Sequence, residues 1–151
     1  MHYIKFNRLG FEINTNPQKI DIERLHHFLA KESYWAQNIP IETLKTALEN
    51  SLNFSILENS SNKFVGFARL ITDYATFAYL ADVFIDVNYR GKGLGKWLID
   101  TIMNYSELKG LRFWFLMTRD AHNLYKKYGW EPIQNPQNAM SIKIPATELY
   151  K

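Results

Sequence analysis

The chain contains no cysteine in 151 residues. Disulfides, thiolate-bound metals and a covalent cysteine intermediate are therefore outside its chemistry. Long apolar runs are missing too. Nothing approaches the ~18 residues of a membrane span, and residues 1–12 lack the apolar stretch of a secretory leader. These absences set the expectation of a cytoplasmic protein with no membrane partner and no metal centre. Neither sign of charge dominates. Eighteen Lys and Arg against 15 Asp and Glu leave +3, which suits a polyphosphate ligand but is too little to imply a nucleic-acid partner. Internal repeats, low-complexity tracts and linkers are absent as well. The expectation is one domain, residues 1–151, long enough to bury a sizeable core. Glycine is sparse, with seven in all, and three of the seven fall within five residues.

Those three are Gly91, Gly93 and Gly95. They follow an apolar strand that ends in Val83, Phe84 and Ile85, and they precede an amphipathic helix. The turn itself, Arg90-Gly91-Lys92-Gly93-Leu94-Gly95-Lys96, is basic. A turn of this composition aims several backbone N–H groups at one spot, where the positive end of the helix dipole also points. The natural occupant is a phosphate of a nucleotide-bearing cofactor. Glycine lets the backbone approach closely or take φ > 0, and Arg90, Lys92 and Lys96 add charge. The spacing is not that of a P-loop, because no Lys-Ser/Thr follows a Gly-x4-Gly. It is not the dinucleotide fingerprint either, because the three glycines are each two apart.

The element order can be read from periodicity. Residues 3–7 form a short strand. Asp21 caps a helix to about Lys31, with Leu25, Phe28 and Leu29 on its apolar side. A loop at 33–36 follows, and Pro40 opens a second helix with Ile41, Leu44 and Leu48 facing inward. Residues 53–57 and 64–71 make a hairpin. Residues 77–86 are nearly all apolar and read as a central strand covered on both faces. The helix after the glycines presents Leu94, Leu98, Ile102 and Tyr105 and stops at Gly110. A buried strand at 111–117, a short helix at 120–128 ended by Gly129, and closing strands at 130–133 and 140–144 complete the chain.

Arg90-x-x-Gly93-x-Gly95 at a strand–helix junction, followed downstream by Leu124-Tyr125-Lys126-Lys127-Tyr128-Gly129-Trp130, resembles the coenzyme A signature and the L-Y-x-x-x-G-F motif of the GNAT family of N-acetyltransferases. The element order matches that family across nearly the whole chain. The resemblance implies a mixed α+β fold: a mostly antiparallel twisted sheet of six to seven strands, about four flanking helices, and a splayed strand pair that admits acetyl-CoA. It implies that residues 90–96 grip the cofactor and that backbone N–H groups of Val83, Phe84 and Ile85 polarise the thioester. Because cysteine is absent, the chain stands apart from the arylamine acetyltransferases that pass acetyl through a cysteine.

The resemblance places Tyr125 near the thioester sulfur. A phenol of reference pKa ~10 stays protonated at neutral pH and can protonate the leaving thiolate; the alternative is a packing tyrosine. Thr118 stands where the family often has Asn, a departure at one expected cofactor contact. Asp82 is a candidate base, or else a structural carboxylate paired with backbone or Arg69. The segment around it is similar to the polyamine acetyltransferase branch, in which a Glu-Asp pair occupies the positions of Ala81-Asp82. Half of that charge is missing here, which argues against a polyamine. Asp73 is a second acidic candidate. His122 shares a helix face with Tyr125 and is either a base, a cofactor contact or a solvated side chain. His26 and His27 have no evident partner ligands.

Tyr34, Trp35, Tyr74, Phe77 and Tyr79 are the aromatic candidates for an acceptor pocket, with Phe77 the best fit to the core. Aromatic walls with an acidic group suit a small cationic amine. The leading expectation is therefore direct acetyl transfer from acetyl-CoA to the primary amine of a small molecule. The alternatives are acetylation of a protein lysine or N-terminus, and a non-catalytic acyl-CoA-binding module. The family's frequent dimers leave a homodimer open.

Overall fold

A computed structural model describes residues 3–151. The chain begins as a hairpin of β1 (Lys5–Arg8) and β2 (Phe11–Asn14), joined by Leu9-Gly10 with φ of 48° and 89°. Both turn residues sit in the left-handed region, as the tight two-residue hairpin turn requires. The sequence pattern showed only the first of these strands. Leu9 occupies a position normally held by Asn, Asp or Gly, and so hides the turn.

Asp21 caps α1 (Ile22–His27), its Oδ1 accepting the Arg24 N–H at 3.0 Å. The helix then widens into one π turn, Phe28–Glu32, before the loop at 33–36. Pro40 precedes α2 (Ile41–Glu49), which buries Leu44 and Leu48. Three strands follow: β3 (Leu52–Glu58), β4 (Lys63–Thr72) and β5 (Phe77–Ile85). Next come α3 (Leu94–Met103), β6 (Phe113–Leu116), α4 (His122–Lys126) and α5 (Ala146–Leu149).

The six strands lie in sequence order, antiparallel until the last pair, in which β5 and β6 run parallel. The sheet separates two apolar layers. On one face α3 packs Leu94, Leu98, Ile99 and Ile102 against Phe54, Ile56, Val65 and Leu70. On the other, Leu25, Leu29, Leu44 and Leu48 of α1, its π turn and α2 cover Phe64, Phe67 and Phe84. Burial of two such layers supplies the main driving force for the fold.

The pairing of β5 with β6 shapes the molecule. It covers only Phe77–Leu80 against Phe113–Leu116, yet β5 continues to Ile85. Beyond Leu80 the two chains part, and a V-shaped gap opens between them. The outer half of β5 is therefore only part-buried, not covered on both faces as its apolar run predicted. β6 is likewise a short edge strand and not a fully buried one, with Phe113 41% exposed. Gly110, at φ 87°, turns the chain after a further 3₁₀ turn, Ser106–Leu108, and not directly after α3.

The closing strands expected at 130–133 and 140–144 do not form. Pro132, Pro136 and Asn135 (φ 53°) interrupt the run, and a 3₁₀ turn at Pro136–Asn138 carries it off the sheet. The alternating pattern of 140–144 is present, but among the described residues it has no partner strand.

Candidate active site

The gap between β5 and the end of β6 is a cavity of about 980 Å³. One wall is the outer half of β5. Facing pairs Phe67–Phe84 and Arg69–Ala81 show two steps along β4 matched by three along β5. The extra residue is a β-bulge centred on Asp82, whose φ is 54°. A bulge leaves one residue out of the ladder and re-aims its neighbours, and Val83 and Ile85 line the gap as a result. Phe84 points to the opposite face, packed at a tilt on Phe28 with ring centroids 4.2 Å apart.

Below that wall the chain enters the glycine turn. Gly91 and Gly93 take φ of 80° and 79°, and a Cβ built on either would meet nothing within 4 Å. The first α3 bond runs from the Trp97 N–H to the Gly93 carbonyl, so the amides of Leu94, Gly95 and Lys96 precede the helix ladder and remain available to a ligand. Arg90, Gly91, Gly93, Leu94, Gly95 and Lys96 all border the gap. Arg90 donates through Nε to the Ile85 carbonyl at 3.1 Å, fixing the turn to the strand end. Lys92 stands exposed outside the lining. These residues fit a pyrophosphate: free amides, an open backbone and cations at one helix N-terminus.

The other wall comes from residues 116–121 and α4. Tyr125 borders the gap, is only 7% exposed and touches Trp130 edge-on. Burial pushes its phenol up to about 12, with the nearby Tyr34 adding to the shift, so the group stays protonated. Thr118 Oγ1 accepts the Ala121 N–H at 3.0 Å and opens α4. His122 is exposed and lies outside the lining.

Tyr34 and Trp35 cross the mouth of the gap as a strap. Trp35 Nε1 donates to Asp82 Oδ1 at 2.8 Å on the β5 lip. On the opposite lip, the Arg119 backbone N–H donates to the Tyr34 hydroxyl at 3.2 Å, and the Arg119 guanidinium sits 3.9 Å over the Tyr34 ring. The π turn sets the loop's entry, and Ser33 locks it by donating to the Leu29 carbonyl and accepting from Ala36. Asp82 is held on its second oxygen as well, by Arg69 Nε at 2.7 Å. The candidate base is thus the hub of a Trp35–Asp82–Arg69 cluster, and the structural alternative for it is the one the geometry supports.

Tyr79 lines the gap beside Asp82, and burial raises its phenol. Tyr74 does not join it. It sits in the β4–β5 turn and lines a separate cavity with Tyr3 and Tyr105, a correction to the sequence reading. Asp73, in the same turn, is also elsewhere. Its carboxylate accepts the Thr76 hydroxyl and the N–H groups of Ala75, Thr76 and Phe77, which hold it well below the usual range. Phe77 stacks on Phe113 in the paired part of the sheet. His26 is bound through Nε2 to the Ile39 carbonyl. Arg119, the residue that sequence reasoning missed, carried no local signal; it reaches Tyr34 across 85 positions.

Comparison with known proteins agrees with this geometry. The sequence model of the acetyltransferase (GNAT) family matches residues 22–130. A crystal structure from Xanthomonas campestris pv. campestris, described as a GNAT-family acetyltransferase, is 39% identical with a TM-score of 0.89, over 95% of this chain and 99% of that one. A Gibberella zeae protein named as an acetyltransferase is 29% identical over 81% of this chain and 79% of its own length. A Pyropia yezoensis protein named as an N-acetyltransferase is 28% identical over 92% and 78%.

Proposed function

The chain belongs to the GNAT family of acetyltransferases, and from that premise we propose that it moves an acetyl group from acetyl-CoA directly to the primary amine of a small molecule. The observation that carries this reading is the pair of walls: a glycine cradle at a helix N-terminus on one side, a buried, protonated tyrosine on the other, both facing one gap. Acetyl-CoA supplies an acyl group that is already activated. The turn at 90–96 holds its phosphates, and the bulge at Asp82 and Val83 turns backbone N–H groups toward the thioester oxygen, where negative charge develops. As the amine nitrogen bonds to the carbonyl carbon and the carbon–sulfur bond breaks, Tyr125 gives its phenolic proton to the departing sulfur and is reprotonated from solvent. The amine's own proton leaves to water, because both Asp82 oxygens are engaged by Trp35 and Arg69.

The strap supports a small acceptor over a protein one. It closes the mouth from lip to lip, whereas a lysine-bearing peptide needs an open groove. The test is thiol release from acetyl-CoA across amines, amino acids, aminosugars, polyamines and short lysine peptides. Release with one small-amine class, rising with pH as the amine deprotonates, is the expected result. Release with peptides alone would replace this reading by protein acetylation. Tight acetyl-CoA binding with no turnover on any acceptor would favour a binding module.

A further inference from the structure

The cavity that takes Tyr74 has a volume of about 520 Å³ and shares no lining residue with the gap. Arg69 stands between the two. Its Nε holds Asp82 on the gap side, and its Nη1 donates at 3.1 Å to Ser51 Oγ, which borders the second cavity. The volume is that of a small-molecule site, and nothing in acetyl transfer makes use of it.

The walls are aromatic and acidic. Tyr3, Tyr74 and Tyr105 all border the cavity. Burial raises the phenols of Tyr74 and Tyr105, and the Glu107 carboxylate adds to both shifts, so both rings stay neutral at pH 7. Of the described residues in the lining, Glu107 alone carries a formal charge. Among the described residues it forms no ion pair. Tyr74 holds φ of 60°, in a turn fixed by Asp73 and by its own N–H on Thr72 Oγ1. That conformation is costly for an aromatic residue.

A buried polar atom in the same lining is left without a partner. Asn53 is 2% exposed and borders the cavity. Its Nδ2 donates to the Leu48 and Ser51 carbonyls at 2.9 and 3.2 Å, while its Oδ1 has no partner among the described residues. Buried acceptors are nearly always answered by a donor. The site therefore lacks an N–H for Asn53 and a positive charge for Glu107.

We propose that this cavity is a binding site, separate from the gap, for a small protonated amine with an aromatic or apolar body. An ammonium group brings both missing features at once, and the tyrosine ring faces attract it further. A phosphate or carboxylate ligand would instead meet Glu107 with no cation in the lining to offset it.

The test is a titration of benzylammonium chloride into the intact, isotope-labelled chain, followed by amide resonances. The wild type is expected to show saturable shifts at 51–53, the Asn53 side-chain amide included, with a Kd of about 1 mM or tighter. Benzyl alcohol matches the shape without the charge, and is expected to bind at least about tenfold more weakly. Glu107→Gln and, independently, Tyr74→Asn are expected to weaken benzylammonium by the same factor and to leave acetyl-CoA affinity unchanged. Glu107 is exposed, and Asn accepts the φ at position 74 more readily than Tyr does, so neither change threatens the fold. No saturable shift at 51–53 up to about 10 mM overturns the proposal, whether or not residues of the gap respond. Equal binding of benzyl alcohol overturns the ligand class, and binding retained by either variant overturns the place. A matching loss of acetyl-CoA affinity in the variants would overturn the separation of this site from the gap.

Discussion

At one end of the gap, six residues of the turn from Arg90 to Lys96 make the cradle, and most of what they offer is backbone. At the other end, Tyr34, Trp35, Arg69, Asp82 and Arg119 come from four separate parts of the chain, and most of what they offer is side chain. The first arrangement needs only a strand, a turn with positive φ and a helix start. The second needs the whole sheet to be in register, because it joins residues 47, 13 and 85 positions apart. A site made of backbone tolerates changes of side chain that a site made of side chains does not. The two ends should therefore fail separately when mutated.

The largest effect is expected at the side-chain end. Asp82 and Arg69 are ion-paired with only 8% and 15% of their side chains exposed. Removing one partner of such a pair leaves a buried charge unanswered, at about 3–5 kcal/mol. Asp82→Ala should lose stability of that order in urea unfolding. Asp82→Asn separates a structural role from a basic one. A structural role leaves the shape of the pH–rate profile unchanged while the KM for the acceptor rises. A general base would remove the pH-dependent limb from that profile.

Between the two ends stands Tyr125. Tyr125→Phe should lower kcat about 100-fold, or roughly 2.7 kcal/mol of barrier, with the KM for acetyl-CoA little changed. An undiminished kcat rules out the assigned acid. The same phenol predicts a pH dependence of stability. Its value rises from 10 unfolded to about 12 folded, so the folded state favours the protonated form. Its contribution is complete below pH 10 and is lost as pH climbs from 10 through 12. Chemical unfolding at stepped alkaline pH should show a shallower decline in Tyr125→Phe.

At the backbone end the expected effects are smaller. Gly93 holds φ of 79° with open space around it, so Gly93→Ala costs about 1–2 kcal/mol in backbone strain alone and weakens acetyl-CoA binding by calorimetry without a steric clash. Smallest of all is a gain. Leu9 holds φ of 48° in the β1–β2 turn, and Leu9→Asn should raise stability by roughly 1 kcal/mol or less, read as a higher urea midpoint at unchanged slope.

The same division explains what the sequence made legible. Gly91, Gly93 and Gly95 could be read because a local backbone need selects glycine whatever the rest of the fold does. Tyr125 could be read from its resemblance to a short motif. Asp82 stood out as an acidic group in an apolar strand, but its service to Trp35 and Arg69 depends on a bulge that no residue type announces. Tyr74 was misplaced because its aromatic character outweighed the turn chemistry beside it. Asp73 and Thr76 already spelled a capped turn that keeps Tyr74 away from the gap. Residues 140–144 have a strand's alternation, but Asn135 at φ 53° and the 3₁₀ turn at Pro136–Asn138 carry them off the sheet, and alternation alone does not report that.

Calorimetric titration of Trp35→Phe with acetyl-CoA, paired with its acceptor kinetics, tests the separation of the two ends most directly. This change removes one hydrogen bond to a carboxylate, worth about 1.5–3 kcal/mol, and keeps an aromatic ring in the strap. The account predicts unchanged acetyl-CoA affinity and an acceptor KM raised tenfold or more, in the sense of about 1.4 kcal/mol per decade. A parallel fall in acetyl-CoA affinity, or an unchanged acceptor KM, would contradict it.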